Sequence, residues 1–322
     1  MFATDPSAAP AAIPPELAAL HRPADRYGFF DAAGARLRVA RWTATGIAKG
    51  MVVVLGGRGE FIEKYATEVV GELLDRGFAV EAMDWRGQGL SDRLLPDRGK
   101  GHIDDFATYV ADLKLYFETI VAPAAQGPTI CIAHSMGAHT LIRYLGEHGN
   151  GPLSGAVLTA PMSGLKREGL LKAALFLMPN RPSVEARYLY GSGPFALTNR
   201  SFAINRLTHD ERRFHFTDRW FDTDPRLSLG GPTVGWARQA LKSIIHATQP
   251  GFLEGIDLPV TVVSAGEDRL VEPRTHETMV TRLKDGELVL LHNSLHEVMM
   301  EHDEIRGRFW EAFDRLAKSL AA

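Results

Sequence analysis

The chain has 322 residues, 45% of them hydrophobic and 23% charged, with a net charge of −3. This balance excludes a disordered or fibrous chain, and the length suits one large α/β core carrying an insertion. A pI near 6.5 with no dense basic run argues against a nucleic-acid binder, and the longest apolar stretch, 170–178, holds Lys172 and is about half of the ~20 residues that a bilayer crossing needs.

The first 25 residues are rich in Pro and Ala. They lack a basic region followed by a continuous apolar one, so they are expected to form a flexible tail rather than a secretory signal, with a cytoplasmic location as the default. Residues 26–42 hold two β-like runs around Asp31-Ala32-Ala33-Gly34, the pattern of an antiparallel hairpin at a sheet edge. Short apolar, β-branched runs follow at 51–57, 78–85, 129–134, 155–161, 259–268 and 287–293, each expected as a buried parallel strand. Helical patterns lie between them. From residue 61, Ile62, Tyr65, Val69 and Leu73 recur at helical spacing and Gly77 supplies a stop. Alternating strand and helix implies an α/β fold, a mostly parallel sheet with helices on both faces. The single Cys131 permits no internal disulfide and no cysteine metal cluster, and it is expected to pack as a small apolar residue.

The alternation breaks between Met162 and Ala247, where prolines, glycines and aromatics replace the strand runs. This segment, 162–247, is expected to be an inserted cap, with 26–161 and 248–322 as the core. Residues 162–245 hold 13 Lys/Arg against 7 Asp/Glu, a net +6, whereas the rest of the chain carries −9. Such an asymmetry marks either an anionic partner, here peripheral contact with an anionic membrane, or an ordinary solvated surface.

Residues 130–139, "ICIAHSMGAH", run from a β-rich stretch through Ser135 into a helix-forming one. In a nucleophile elbow the serine sits on a sharp strand-to-helix turn with small residues two before and two after it. Gly137 fills the second position and Ala133 the first. A serine hydroxyl needs a histidine to take its proton and a carboxylate to hold that histidine in the useful tautomer, and in this kind of sheet they follow in the order acid, histidine. Asp268 stands just past one strand run, ahead of a helix that Pro273 can begin. His296 lies past the next run, before a C-terminal helix. Glu267 and Asp257 fit the strand end less well, and His292 and His302 belong to the flanking strand and helix. A developing oxyanion needs backbone donors. The N–H after the serine, Met136, is one; the loop "LGGRGEF" at 55–61 offers that of Arg58.

Together "LGGRGEFIEKY", "DWRGQGLSD", "AHSMG", "AGEDRLV" and "LHEVMMEHDEIR" resemble the α/β-hydrolase family of bacterial lysophospholipases and monoacylglycerol lipases, over about residues 26–318. That family's oxyanion loop reads His-Gly-x-Gly-Glu, so Gly56 stands where the histidine would, and Ala133 replaces the first elbow glycine. "DPRLSLGGPTVGW" at 224–236 looks like the lysophospholipase branch. The resemblance implies a triad of Ser135, Asp268 and His296 with Arg58 and Met136 as donors, an acyl-enzyme mechanism without cofactor or metal, and a lysophospholipid substrate. A monoacylglycerol or a small ester is the second expectation; a non-catalytic binding protein of the same fold is one of another class. Ser135 at the elbow argues against the dehalogenases and epoxide hydrolases of this fold, which use aspartate there.

Overall fold

A computed structural model describes residues 2–196 and 200–321; residues 197–199 of the expected insertion lie outside that description. The anticipated hairpin is present as β1 (Arg26–Ala32) and β2 (Ala35–Trp42). The six apolar runs become β3 (Met51–Leu55), β4 (Ala79–Met83), β5 (Thr129–His134), β6 (Gly155–Thr159), β7 (Val260–Ala265) and β8 (Gly286–Leu291). All residues of β3, β5, β6 and β7 are buried, which is why these strands read as continuous apolar runs rather than alternating ones.

The eight strands form one sheet in the order β1-β2-β4-β3-β5-β6-β7-β8. β1 and β2 pair antiparallel, as do β2 and β4; the remaining neighbours pair parallel. The chain steps one way from β3 to β4 and back the other way from β4 to β5. Right-handed crossovers therefore leave the sheet on opposite faces and open a crevice at the carboxyl ends of β3 and β5. On one face α2 (Val69–Asp75) and the C-terminal helix (Asp303–Ser319) meet through Arg76–Asp314 and Arg306–Glu72. On the other, α3 (Phe106–Tyr116) packs against α4 (Ser135–His148).

Two expectations are corrected. The single helix expected from residue 61 is broken into α1 (Ile62–Ala66) and α2, with Glu68 at φ 78° between them. The cause lies in the stretch expected to be a free tail. The N–H of Arg22 donates to Ala66 O at 2.8 Å and the N–H of Glu68 to Leu20 O at 3.3 Å, so the N-terminal segment takes hydrogen bonds that would continue the helix. That segment is laid against the molecule: Phe2, Ala8, Leu17 and His21 are buried, and Ala8 O accepts from Nε of Arg38, whose side chain is itself fully buried. Apolar Phe and Leu among the alanines and prolines give it something to bury.

Between β6 and β7 the described residues hold no strand but four helices, α5 (Glu168–Leu177), α6 (Pro182–Glu185), α7 (Glu211–Thr223) and α8 (Val234–Ala247). α7 shares an apolar cluster with Leu17 and Phe61, and α5 packs Leu175 onto Val234, Ala237 and Leu241 of α8. No described helix is long and apolar enough to cross a membrane.

Candidate active site

β5 passes into α4 without a loop, and Ser135, at the junction, has φ 50°. A non-glycine residue in the left-handed region is strained, the condition of a nucleophile elbow. Gly137 is needed two residues on: a Cβ there would stand 2.5 Å from Gly56 O. Ala133 pairs with Leu55 of β3 and Leu158 of β6 and is fully buried, its methyl packed on a covered face of the sheet.

Ser135, Asp268 and His296, predicted from three distant stretches, are brought together. The hydroxyl of Ser135 donates to His296 Nε2 at 2.9 Å, and His296 Nδ1–H donates to Asp268 Oδ2 at 2.6 Å. The other carboxylate oxygen accepts the N–H groups of Leu270 (2.7 Å) and Val271 (2.9 Å). Burial alone would raise the Asp268 pKa, but the imidazole and these amides hold it below the ordinary carboxylate value. The acid is therefore ionised and can only accept, which fixes the proton on Nδ1 and leaves Nε2 free to take one from Ser135. The alternative acids point elsewhere: Glu267 faces His209 at 3.5 Å and Asp257 faces Lys284 at 3.8 Å.

Above the serine lies a cavity of about 270 Å³ lined by Arg58, Ser135, Met136 and His296, with Met162, Leu165, Leu207 and Trp236 among its apolar walls. In the loop after β3, the N–H of Gly57 is engaged by Glu60 and that of Gly59 by Gln88. Neither Arg58 N–H nor Met136 N–H has a partner among the described residues. Two free amides on a cavity shared with a serine hydroxyl, one of them opening a helix, are suited to receive negative charge.

What sequence reasoning missed is the support beneath this loop. Lys64 Nζ bridges Glu60 (2.6 Å) and Glu297 (2.7 Å), all three side chains nearly inaccessible, and Tyr65 OH also donates to Glu60. Trp85 Nε1 holds Gly56 O at 2.7 Å. Glu60 thus ties the loop that lacks its histidine to the residue next to His296. The i,i+4 spacing of Glu60 and Lys64 is visible in the sequence; that the pair is buried against Glu297 is not. His134 packs its ring on His296 at 4.7 Å, and burial pushes its pKa down to about 4, so it stays neutral beside the imidazole.

The family model described as serine aminopeptidase, S33 matches residues 46–303, most of the chain. The chain belongs to this family. It is 32% identical to lysophospholipase L2 of Escherichia coli (strain K12) over 268 residues, covering 80% of this chain and 77% of that protein. It is 28% identical to the probable lysophospholipase L2 of Haemophilus influenzae, covering 80% of each. A soluble variant of monoglyceride lipase from Saccharomyces cerevisiae, solved with a substrate analogue, superposes with a TM-score of 0.71 at 17% identity, over 91% of this chain and 96% of that one. At that identity the likeness concerns the fold, which is the α/β-hydrolase fold expected above. The chain is an enzyme of the serine hydrolase type.

Proposed function

We propose that the enzyme hydrolyses single-chain lipid esters through an acyl-enzyme, with a lysophospholipid as substrate. Ser135 Oγ attacks the ester carbonyl while His296 takes its proton, Asp268 steadies the resulting imidazolium, and the amides of Arg58 and Met136 receive the oxyanion. His296 then returns the proton to the leaving alcohol, and water repeats the sequence to free the acid. The single observation that carries this reading is the hydrogen-bonded chain Ser135–His296–Asp268 opening on one cavity with two unpaired amides. The apolar walls suit an acyl chain, and the L2 lysophospholipases among the relatives favour a phospholipid headgroup over a bare glycerol.

Residues 162–247 are proposed to act as a cap over this cavity, and to rest on the anionic lipid surface that supplies the substrate, on the cytoplasmic side. On α5, Leu170, Phe176 and Leu177 are 71%, 87% and 81% exposed, an apolar edge unusual for a helix surrounded by water. The test of the activity is a fluorophosphonate probe together with lysophosphatidylethanolamine, monoacylglycerol and short nitrophenyl esters. Labelling and turnover are expected to vanish together in Ser135→Ala; labelling that survives would move the nucleophile elsewhere.

A further inference from the structure

A half-buried cation with no counter-ion among the described residues lines the same cavity as the serine. Among the described residues the guanidinium of Arg58 makes one hydrogen bond, from Nη2 to Gly230 O at 2.7 Å, while its Nε is buried with no partner. Its titratable neighbours are the phenols of Tyr109 and Tyr188, uncharged at neutral pH, rather than a carboxylate, and desolvation draws its pKa down to about 10, still cationic at neutral pH. The seat is built for it. A Cβ at Gly101 would stand 2.2 Å from Nη2, and the strip carrying that glycine is fastened to the loop before α8 by Gly230 N–H to Gly99 O (2.7 Å) and Thr233 N–H to Gly101 O (3.0 Å). The Cζ atom lies 5.3 Å from the ring of Trp236, whose buried indole Nε1 faces the Tyr109 hydroxyl without forming a well-aligned hydrogen bond. Both residues line the Ser135 cavity.

A charge partly removed from water with no counter-ion is costly, and a buried guanidinium N–H left without a partner adds to it, so in a ligand cavity they call for an acceptor that arrives with the ligand. We infer that Arg58, with the Trp236 N–H, forms a subsite that recognises the phosphate of a phosphate-bearing ester and so selects it over a neutral one. Guanidinium matches phosphate in both charge and fork geometry. The spacing agrees as well. In a lysophospholipid acylated at the terminal hydroxyl, phosphate stands one glycerol away from the ester oxygen, a span that an arginine side chain covers from its own backbone. The residue whose N–H faces the carbonyl can thus carry its guanidinium to the headgroup.

This inference rests on the lipid-ester reading above, and two measurements separate them. The first compares kcat/KM on a lysophospholipid and on the monoacylglycerol of the same acyl chain, for the full chain and for Arg58→Lys and Arg58→Met. The preference for the phosphate ester is expected to fall by about tenfold or more in Arg58→Met, carried by KM, and to be partly kept in Arg58→Lys. An unchanged preference overturns the subsite and leaves Arg58 as a strut between loop and α8. Should Arg58→Met not fold, Trp236→Phe removes only the indole donor and is expected to shift the same ratio in the same direction.

The second measurement needs no lipid: inhibition of nitrophenyl butyrate hydrolysis by glycerol 3-phosphate, glycerol and inorganic phosphate. Competitive inhibition by glycerol 3-phosphate alone, weakened about tenfold in Arg58→Met, supports the subsite even if neither lipid is hydrolysed and the lipid-ester reading falls. Equal inhibition by glycerol, or no weakening in the variant, overturns it. Inorganic phosphate acting as strongly as glycerol 3-phosphate overturns the headgroup assignment in favour of a free-phosphate site.

Discussion

At the scale of single residues, the proposed chemistry depends on what each side chain is held by. Asp268→Asn keeps the packing of a buried residue but allows the amide to donate, which favours the wrong imidazole tautomer; kcat is expected to drop by about 10⁴ with the melting temperature nearly unchanged. A comparable loss of melting temperature would mean the carboxylate is a structural brace. Lys64 makes a contrasting case. With Glu60 buried and Glu297 only slightly exposed, Lys64→Met leaves two carboxylates without their cation and should cost about 3 kcal/mol in urea unfolding. The triple change Glu60→Gln, Lys64→Met, Glu297→Gln should recover much of that, because no uncompensated charge remains. Beside the Ser135 turn, Ala133→Val adds bulk on a fully buried face of the sheet and is expected to destabilise by about 1–3 kcal/mol, whereas Ala133→Gly should leave turnover within a few-fold. A stable, active valine variant would show the junction to be looser than the contacts of Ala133 and Gly137 imply.

At the scale of elements, the N-terminal segment and α5 behave differently from what their composition suggests. Leu17 joins Phe61, Phe216, Trp220 and Phe221 in one apolar cluster, and the segment also interrupts the helix at Thr67. Removing residues 1–25 should therefore lower stability, by on the order of 3 kcal/mol for the apolar surface exposed, and should speed amide exchange around Ala66–Val69. A melting curve indistinguishable from that of the full chain would restore the picture of a free tail. On α5 the electrostatic case is weaker than the charge count suggests, since Lys166 pairs with Glu272 and Lys172 with Glu168. The apolar edge carries more of the argument. Changing Leu170, Phe176 and Leu177 to serine is expected to abolish co-sedimentation with anionic liposomes, while high salt weakens it only in part, because screening acts on charge and not on burial. Binding that ignores the triple serine change but vanishes in salt would return the contact to the basic residues.

At the scale of the whole molecule, four buried histidines predict sensitivity to acid. Burial lowers the pKa of His21, His134 and His276 to about 4 and that of His139 to about 3, from 6.5. Below pH 6.5 the unfolded chain binds protons at these sites that the folded chain refuses, so stability falls as pH drops towards 4, each group contributing up to about 1.4 kcal/mol per pH unit. Glu81, which burial raises to about 7, acts in the opposite direction together with the raised Asp84 and Asp112, while lowered carboxylates such as Glu60 and Asp268 act with the histidines. Urea midpoints measured from pH 7 to pH 4 should decline steadily; a flat profile would mean that water reaches these rings.

The sequence by itself determined the strands, because residues buried on both sides of a parallel sheet must be apolar throughout and such runs stand out. It also determined the sharp strand-to-helix turn at Ser135, because few residue types tolerate it, and it ordered Asp268 and His296 after their strands. Tertiary structure alone decided the rest. The break between α1 and α2 depends on hydrogen bonds from residues some forty positions upstream, which no local pattern around Thr67 encodes. Glu60, Lys64 and Glu297 look like solvated charges until packing removes the water around them. Arg58 and Trp236 lie far apart in the chain, and only the meeting of the β3 loop with α8 sets a cation and an indole donor side by side with no carboxylate between them. Local preference governs backbone conformation within a few residues, whereas burial and charge pairing are properties of the folded whole.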